Sequence, residues 1–304
     1  MKNLTLRQLR YVEALAQHGH FGRAAEACAV SQPALSVQVK DLEETLGTDI
    51  FERTSRGVRL TTFGADVVAR ASDILRAVDD LGDMARAAQG NMVGRLRLGV
   101  IPTIAPYLLP RVLSDLGARY QKLDVQVRET VTPRLVTALN AGQIDCAILA
   151  LPLGEPGLEE RELFSERMML VRPARDSGQP VPLVEALPEM RLLLLEEGHC
   201  FRDQALSFCN MPSVRAREGL DGSSLSTLVQ LVGAGLGVTL VPEMAVPVET
   251  RSADVAVTGF PEKQPARRIG MVWRHGSPLT DHFDRVADIV RFSAEATKPK
   301  QASL

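Results

Sequence analysis

Apolar residues in the first sixty positions recur at helical spacing. Leu6, Leu9, Val12 and Ala16 mark one face of a first helix that runs out near Gly19. Residues 22–29 predict a second helix with Ala24, Ala25 and Cys28 inward, where small side chains let another helix approach closely. Val30-Ser31-Gln32-Pro33 then makes a tight turn, with the serine placed to cap and the proline suited to a first helical turn. Leu35, Val39, Leu42 and Leu46 carry that third helix to a stop at Gly47, and residues 51–61 predict a hairpin.

The period changes next. From Thr62 to Gln89 there is no proline, and Phe63, Val67, Ala71, Ile74, Val78, Leu81, Ala85 and Ala88 recur at steps of four and three with one repeated four. Such a stripe is a coiled-coil seam, and a solitary helix exposing it would be poorly soluble, so a second copy of the helix is the expected partner. Gln89-Gly90-Asn91-Met92-Val93-Gly94 reads as a hinge.

Beyond Gly94, short apolar strands alternate with helices: 95–101, 105–120, 125–130, 134–141 and 146–151. Strands are further predicted at 168–172, 191–196, 213–217, 238–241 and 269–274, with helices at 224–234 and 279–296. The alternation predicts a parallel sheet with crossover helices, and more than 200 residues of it predict two α/β lobes. Gly233-Ala234-Gly235-Leu236-Gly237 leaves a helix and enters a strand, the reverse of the order that sets a pyrophosphate on a helix N-terminus, so no dinucleotide site is predicted there.

Formal net charge is −2, which excludes a global footprint for nucleic acid or anionic membrane. The hairpin at 51–61 nevertheless sets Arg53, Arg56 and Arg59 against Glu52 alone, a local basic patch. No apolar run near the N-terminus suits a secretory signal, and the charge-free run 222–242 is broken by glycine, serine and threonine, so no membrane span is expected. Four cysteines without a dense framework fit a reducing cytosol, and the expected location is cytoplasmic.

Residues 194–209, LLEEGHCFRDQALSFC, hold a cysteine at each end of a helix-like segment, with His199 beside the first. If the segment is helical, nine positions at about 1.5 Å each separate the two alpha carbons by roughly 13 Å. A disulfide needs them within about 7 Å, so the sulfurs join only if the segment unwinds. Two cysteines at such spacing are either core residues or a redox couple, and the histidines do not stand at zinc-ligand spacing. Cys28 and Cys146 are expected to be inert core thiols.

The run FGRAAEACAVSQPALSVQVKDLEETLGTDIFERTSRGVRLTTFG closely resembles the winged helix-turn-helix of LysR-type transcriptional regulators. That resemblance implies an α/β protein with an all-α, winged N-terminal part: a winged helix-turn-helix at 1–61, a dimerising linker helix and hinge at 62–90, and a two-lobed, periplasmic-binding-protein-like regulatory domain at 91–304. Lobe I would comprise about 91–165 and 269–304, and lobe II about 166–268. It further implies that Ser31, Gln32, Pro33, Ser36 and Gln38 lie at the major groove of double-stranded DNA, with Arg53 and Arg56 near the backbone or minor groove. Dimers and tetramers on two-fold-symmetric promoter sites, and contact with RNA polymerase, are implied likewise.

EEGHCFRDQALSFC, together with GVIPT at 99–103, PYLLP at 106–110, residues 145–151 and GSPL at 276–279, resembles the peroxide-sensing members of that family, and with these the resemblance spans essentially the whole chain. It implies that hydrogen peroxide oxidises Cys200 to a sulfenic acid, which Cys209 resolves to a disulfide. Thiolate attack calls for cationic or hydrogen-bonding neighbours, which His199 and Arg202 offer by sequence and Arg267, Thr103 and Thr132 by resemblance, with Asp203 organising the arginines. Gly219 stands where relatives often carry histidine. Neither cofactor nor metal is implied, and the chain is expected to be a regulator and not an enzyme. Two other readings compete: a LysR-type regulator answering an organic metabolite between the lobes, and a thiol peroxidase fused to a DNA anchor.

Overall fold

The computed structural model describes residues 4–54, 57–88, 92–209, 221–261 and 264–297. The chain divides into two compact units, Met1–Ala85 and Arg86–Leu304.

In the first unit, α1 (Leu6–His18) opens with a capping box between Thr5 and Gln8 and ends on Gly19 in the left-handed region. α2 (Phe21–Ala27) and α3 (Gln32–Leu46) follow, the latter capped by the Ser31 hydroxyl on the Ala34 amide and closed by left-handed Gly47. Tyr11, Val12, Leu15, Ala24, Ala25, Leu35, Val39, Leu42 and Ile50 form the core between them. The inward face of α1 is rotated from the predicted stripe, since Leu6 is exposed while Tyr11 and Leu15 are buried. Cys28 is half-buried and packs at the rim, because α2 ends at Ala27, two residues earlier than predicted, and leaves it as the C-cap.

β1 (Phe51–Thr54) and β2 (Gly57–Leu60) form the antiparallel hairpin. Glu43 ties it to α3 by accepting the Ile50 and Phe51 amides at 2.9 and 3.1 Å. α4 (Thr62–Ala88) buries Ala71 and Leu75 with Leu9, and Ser72 donates to Glu13 at 2.5 Å. Leu75 is not on the predicted seam; what remains open is Phe63 at 38%, Ile74 at 45%, Leu81 at 64% and Met84 at 56%.

The second unit begins with β3 (Gly94–Val100), α5 (Ala105–Arg119), β4 (Leu123–Glu129), α6 (Thr132–Asn140) and β5 (Cys146–Leu151), whose strands lie parallel in the order β4-β3-β5. The sheet then departs from the all-parallel expectation. β6 (Leu158–Pro173) runs antiparallel to β11 (Ala266–Arg274), which runs antiparallel to β5. These two strands pass between the lobes in opposite directions, which makes the sheet mixed. α10 (Thr280–Thr297) returns to pack on α5 in lobe I.

In lobe II the far half of β6 pairs with β9 (Thr239–Pro242) and β10 (Val255–Thr258). β7 (Leu194–Leu195) and β8 (Asp221–Gly222) pair in parallel, and the predicted strand at 191–196 is otherwise reduced to a bridge between Leu192 and Val238. α7 (Cys200–Phe208) and α8 (Leu225–Gly233) cover these strands, and α9 (Val246–Glu249) packs on α8. The glycine run after α8 ends a helix and turns the chain, and a Cβ at Gly237 would stand 2.2 Å from the Arg191 carbonyl. The strand predicted at 213–217 lies outside the described residues. Each lobe has its own apolar core: one around Leu98, Val112, Ile148 and Phe283, the other around Leu193, Leu206, Val229 and Leu240.

Candidate functional site

α7 starts after a turn at Gly198, whose φ of +95° favours glycine, and its inward face is Phe201, Arg202, Ala205 and Leu206. Arg202 Nη1 donates to the Leu195 carbonyl at 2.6 Å. Cys200 is the first residue of the helix and packs, half-buried, against the core of lobe I. Cys209 is the C-cap, donates its amide to the Ala205 carbonyl at 3.0 Å, and is buried in the core of lobe II. Burial pushes its thiol pKa up to about 11. Both thiols are free.

Cys200 opens onto a cavity of about 580 Å³ whose lining includes Thr132, Met168, Asp203, Gln204, Phe208 and Arg267. Among the described residues, two buried polar atoms on this wall, Thr132 Oγ1 and Gln204 Oε1, have no hydrogen-bond partner. In a cavity wall such atoms are ready to meet a small polar guest.

Arg267 is the buried cation of the site. Its Nε donates to Glu166 Oε2 at 2.9 Å, Nη1 to Thr103 Oγ1 at 2.8 Å and Nη2 to the Thr103 carbonyl at 3.0 Å. Its guanidinium carbon stands 5.2 Å from the centroid of the Phe201 ring, a cation–π contact with the first turn of α7.

The predicted pocket residues divide between two cavities. Thr132, Asp203 and Arg267 line that of Cys200, whereas Thr103 and His199 line a second, of about 480 Å³, which also holds Tyr107, Glu129, Ser224 and Glu249. There Tyr107 donates to Glu249 at 2.6 Å and Ser226 to the other oxygen at 2.5 Å, a polar link between the lobes. Burial lowers the His199 pKa, partly opposed by Glu196, so the imidazole is neutral near pH 7 and supplies no cation beside Cys200. Asp203 is exposed and forms no ion pair among the described residues; the carboxylate that holds an arginine here is Glu166.

Sequence reasoning missed Gln204 and Glu166. Gln204 stands four residues after Cys200 on one helix face, a legible signal. Glu166 faces Arg267 only through the β6–β11 register. Position 219 lies outside the described residues.

On α3, Gln32 and Pro33 are exposed, Ser31 is exposed and engaged as the cap, and Ser36 and Gln38 are half-buried, Gln38 donating to Asp41 at 3.3 Å. Val37, not singled out beforehand, is 57% exposed on the same helix and offers an apolar contact. Arg53 lies on β1 and Arg56 falls outside the described residues. Cys146 is fully buried, which raises its pKa well above the ordinary value. Among the described residues no helix is long and apolar enough to cross a membrane, and no cluster of histidine, cysteine and carboxylate groups is arranged to hold a metal.

Two family models match the chain: the LysR-family bacterial regulatory helix-turn-helix over residues 6–65, and the LysR substrate binding domain over 89–294. A probable hydrogen peroxide-inducible genes activator of Streptomyces viridosporus is 45% identical over 291 residues, covering 94% of this chain and 93% of that protein. The DNA-binding transcriptional dual regulator OxyR of Escherichia coli is 40% identical over 294 residues, covering 95% of each. Among solved structures, a full-length OxyR variant from Pseudomonas aeruginosa aligns with a TM-score of 0.75 at 37% identity, covering 95% of this chain and 98% of that one. A hydrogen-peroxide-bound OxyR variant from Corynebacterium glutamicum aligns at 0.67 and 35%, covering 97% and 94%.

Proposed function

The chain belongs to the LysR family of bacterial regulators, and from that premise we propose that it is a cytoplasmic, peroxide-sensing transcription regulator and not an enzyme. The observation that carries this is the placement of Cys200: first residue of a helix, on a cavity with an unpartnered Thr132 hydroxyl, nine positions from a buried Cys209.

The Cys200 thiolate attacks one peroxide oxygen; the S–O bond forms as the O–O bond breaks, and the departing hydroxide takes a proton to become water. The positive end of α7 and the buried Arg267 face the negative charge carried through this step. Thr132 and Gln204 orient the peroxide, and Thr103 is held by Arg267. Cys209 then attacks the sulfenic sulfur, an S–S bond forms and a second water leaves. Two electrons pass from sulfur to peroxide. The disulfide cannot close across an intact α7, so the helix unwinds and repacks both lobes.

The outcome is read on DNA. Gln32, Pro33, Ser36 and Gln38 present the reading face, Ser31 caps it, and Arg53 and Arg56 approach the phosphates or the minor groove. Ile74, Leu81 and Met84 on α4 support pairing of two copies, so the modules fall at 1–61, 62–90 and 91–304. Association of dimers into tetramers, and contact with RNA polymerase, complete the proposal.

The test is peptide mapping and promoter footprinting of the full-length protein before and after stoichiometric peroxide. A Cys200–Cys209 bond with a changed footprint is expected, and Cys200→Ser should abolish both; an unchanged response in that variant sinks the mechanism. One observation favours a second reading. The 480 Å³ cavity between the lobes has the size of a small-molecule site, so a metabolite regulator would show a ligand-dependent footprint with no Cys200–Cys209 bond.

A further inference from the structure

We infer that Glu166 is a positioning residue for the peroxide reaction, holding the Arg267 guanidinium at the wall of the Cys200 cavity; this rests on the sensing reading above. The β6–β11 register sets the two residues directly opposite. Their side chains are 4% and 0% exposed, so each depends on the other for a counter-charge.

The carboxylate is used on both oxygens. Oε2 takes Arg267 Nε at 2.9 Å and stands 2.8 Å from Nη2, while Oε1 accepts the Met244 amide at 2.9 Å. A guanidinium has five N–H donors; Nε, Nη1 and Nη2 each give one to Glu166 or Thr103, which leaves two, one on Nη2 beside Glu166 Oε2 and one on Nη1. Glu166 therefore fixes the direction of the Nη1 donor at the wall of the Cys200 cavity, where it meets the oxygen leaving the peroxide. No other carboxylate pairs with Arg267 among the described residues, so without Glu166 the guanidinium is free to turn from this pose.

Glu166→Gln separates the two links. A glutamine oxygen still accepts the Met244 amide, but its NH₂ group opposes Arg267. The full-length reduced protein is reacted with hydrogen peroxide, and separately with iodoacetamide, and Cys200 is followed by mass spectrometry. Peroxide needs donors for its leaving oxygen and iodoacetamide does not, so E166Q should slow the first at least about tenfold and leave the second within about two-fold. E166Q combined with R267Q should be no slower than R267Q alone, and E166D, which keeps the charge one carbon further back, should fall between wild type and E166Q. Equal slowing of both reagents marks a merely structural residue and overturns the inference. A reactive wild type beside an equally reactive E166Q overturns it alone, whereas a wild type inert to peroxide overturns the sensing reading and this inference together. Should E166Q fail to fold, E166D carries the test, and a wild-type peroxide rate there overturns the inference.

Discussion

Cys200 opens α7 and Cys209 closes it, the first packed on the core of lobe I and the second buried in the core of lobe II. Joining them takes a sulfur out of one of these cores and removes the helix between them. Oxidation is therefore expected to lower far-ultraviolet helix signal and to open residues 201–209 to proteases. Cys209→Ser should stop one step earlier, with Cys200 carrying one added oxygen and the segment still protected.

The helix opposes the bond, so weakening it favours closure. Ala205 is buried in mid-α7 and its carbonyl receives the Cys209 amide. Ala205→Gly costs the reduced form about 1 kcal/mol in helix propensity, which should speed disulfide formation from the sulfenic acid about fivefold. Stopped-flow kinetics at fixed peroxide checks this, and an unchanged rate places the barrier elsewhere.

Thr132 sets function against stability. Its hydroxyl is buried without a partner among the described residues, so Thr132→Val should raise stability by about 1 kcal/mol while slowing Cys200 oxidation about tenfold. Thermal melts and oxidation rates on one preparation test both halves.

Alkaline pH acts through Cys209. Its folded pKa is raised from 9.0 to about 11 by burial, so the folded state holds its proton more tightly than the unfolded chain does. That contribution is fully present below pH 9 and is lost as pH rises from about 9 toward about 11; it is on the order of 2 kcal/mol. Buried Cys146 acts in the same direction, so the fall in melting temperature above pH 9 should be shallower, and not absent, in Cys209→Ala.

Leu81 is the most exposed large apolar residue of α4. Leu81→Glu should shift the protein toward monomer in sedimentation and weaken promoter binding about tenfold or more, with peroxide oxidation of Cys200 unaffected.

What could be read from the chain was local. Ser31 and Gly47 announce the ends of α3 because caps depend on near neighbours, and the 200–209 spacing places both cysteines at the ends of one helix. The first ten residues of β6, LEERELFSER, are mostly glutamate and arginine with few apolar residues, so its period is hidden. Glu166 and Arg267 are 101 residues apart and meet only through strand register, which no window of sequence contains. His199 was legible as a neighbour of Cys200, but the helix start turns its ring into the other cavity.

The order of synthesis follows from how β11 closes lobe I. The apolar edge of β5 has no partner on that side until β11 has been made, after all of lobe II. At a ribosomal pace of about 5–20 residues per second, this edge waits for several seconds. Lobe II is thus the first part of the regulatory unit that can finish folding, and lobe I, although it begins first, is sealed last. A nascent chain arrested before position 266 should keep Cys146 open to alkylation, whereas the released protein buries it.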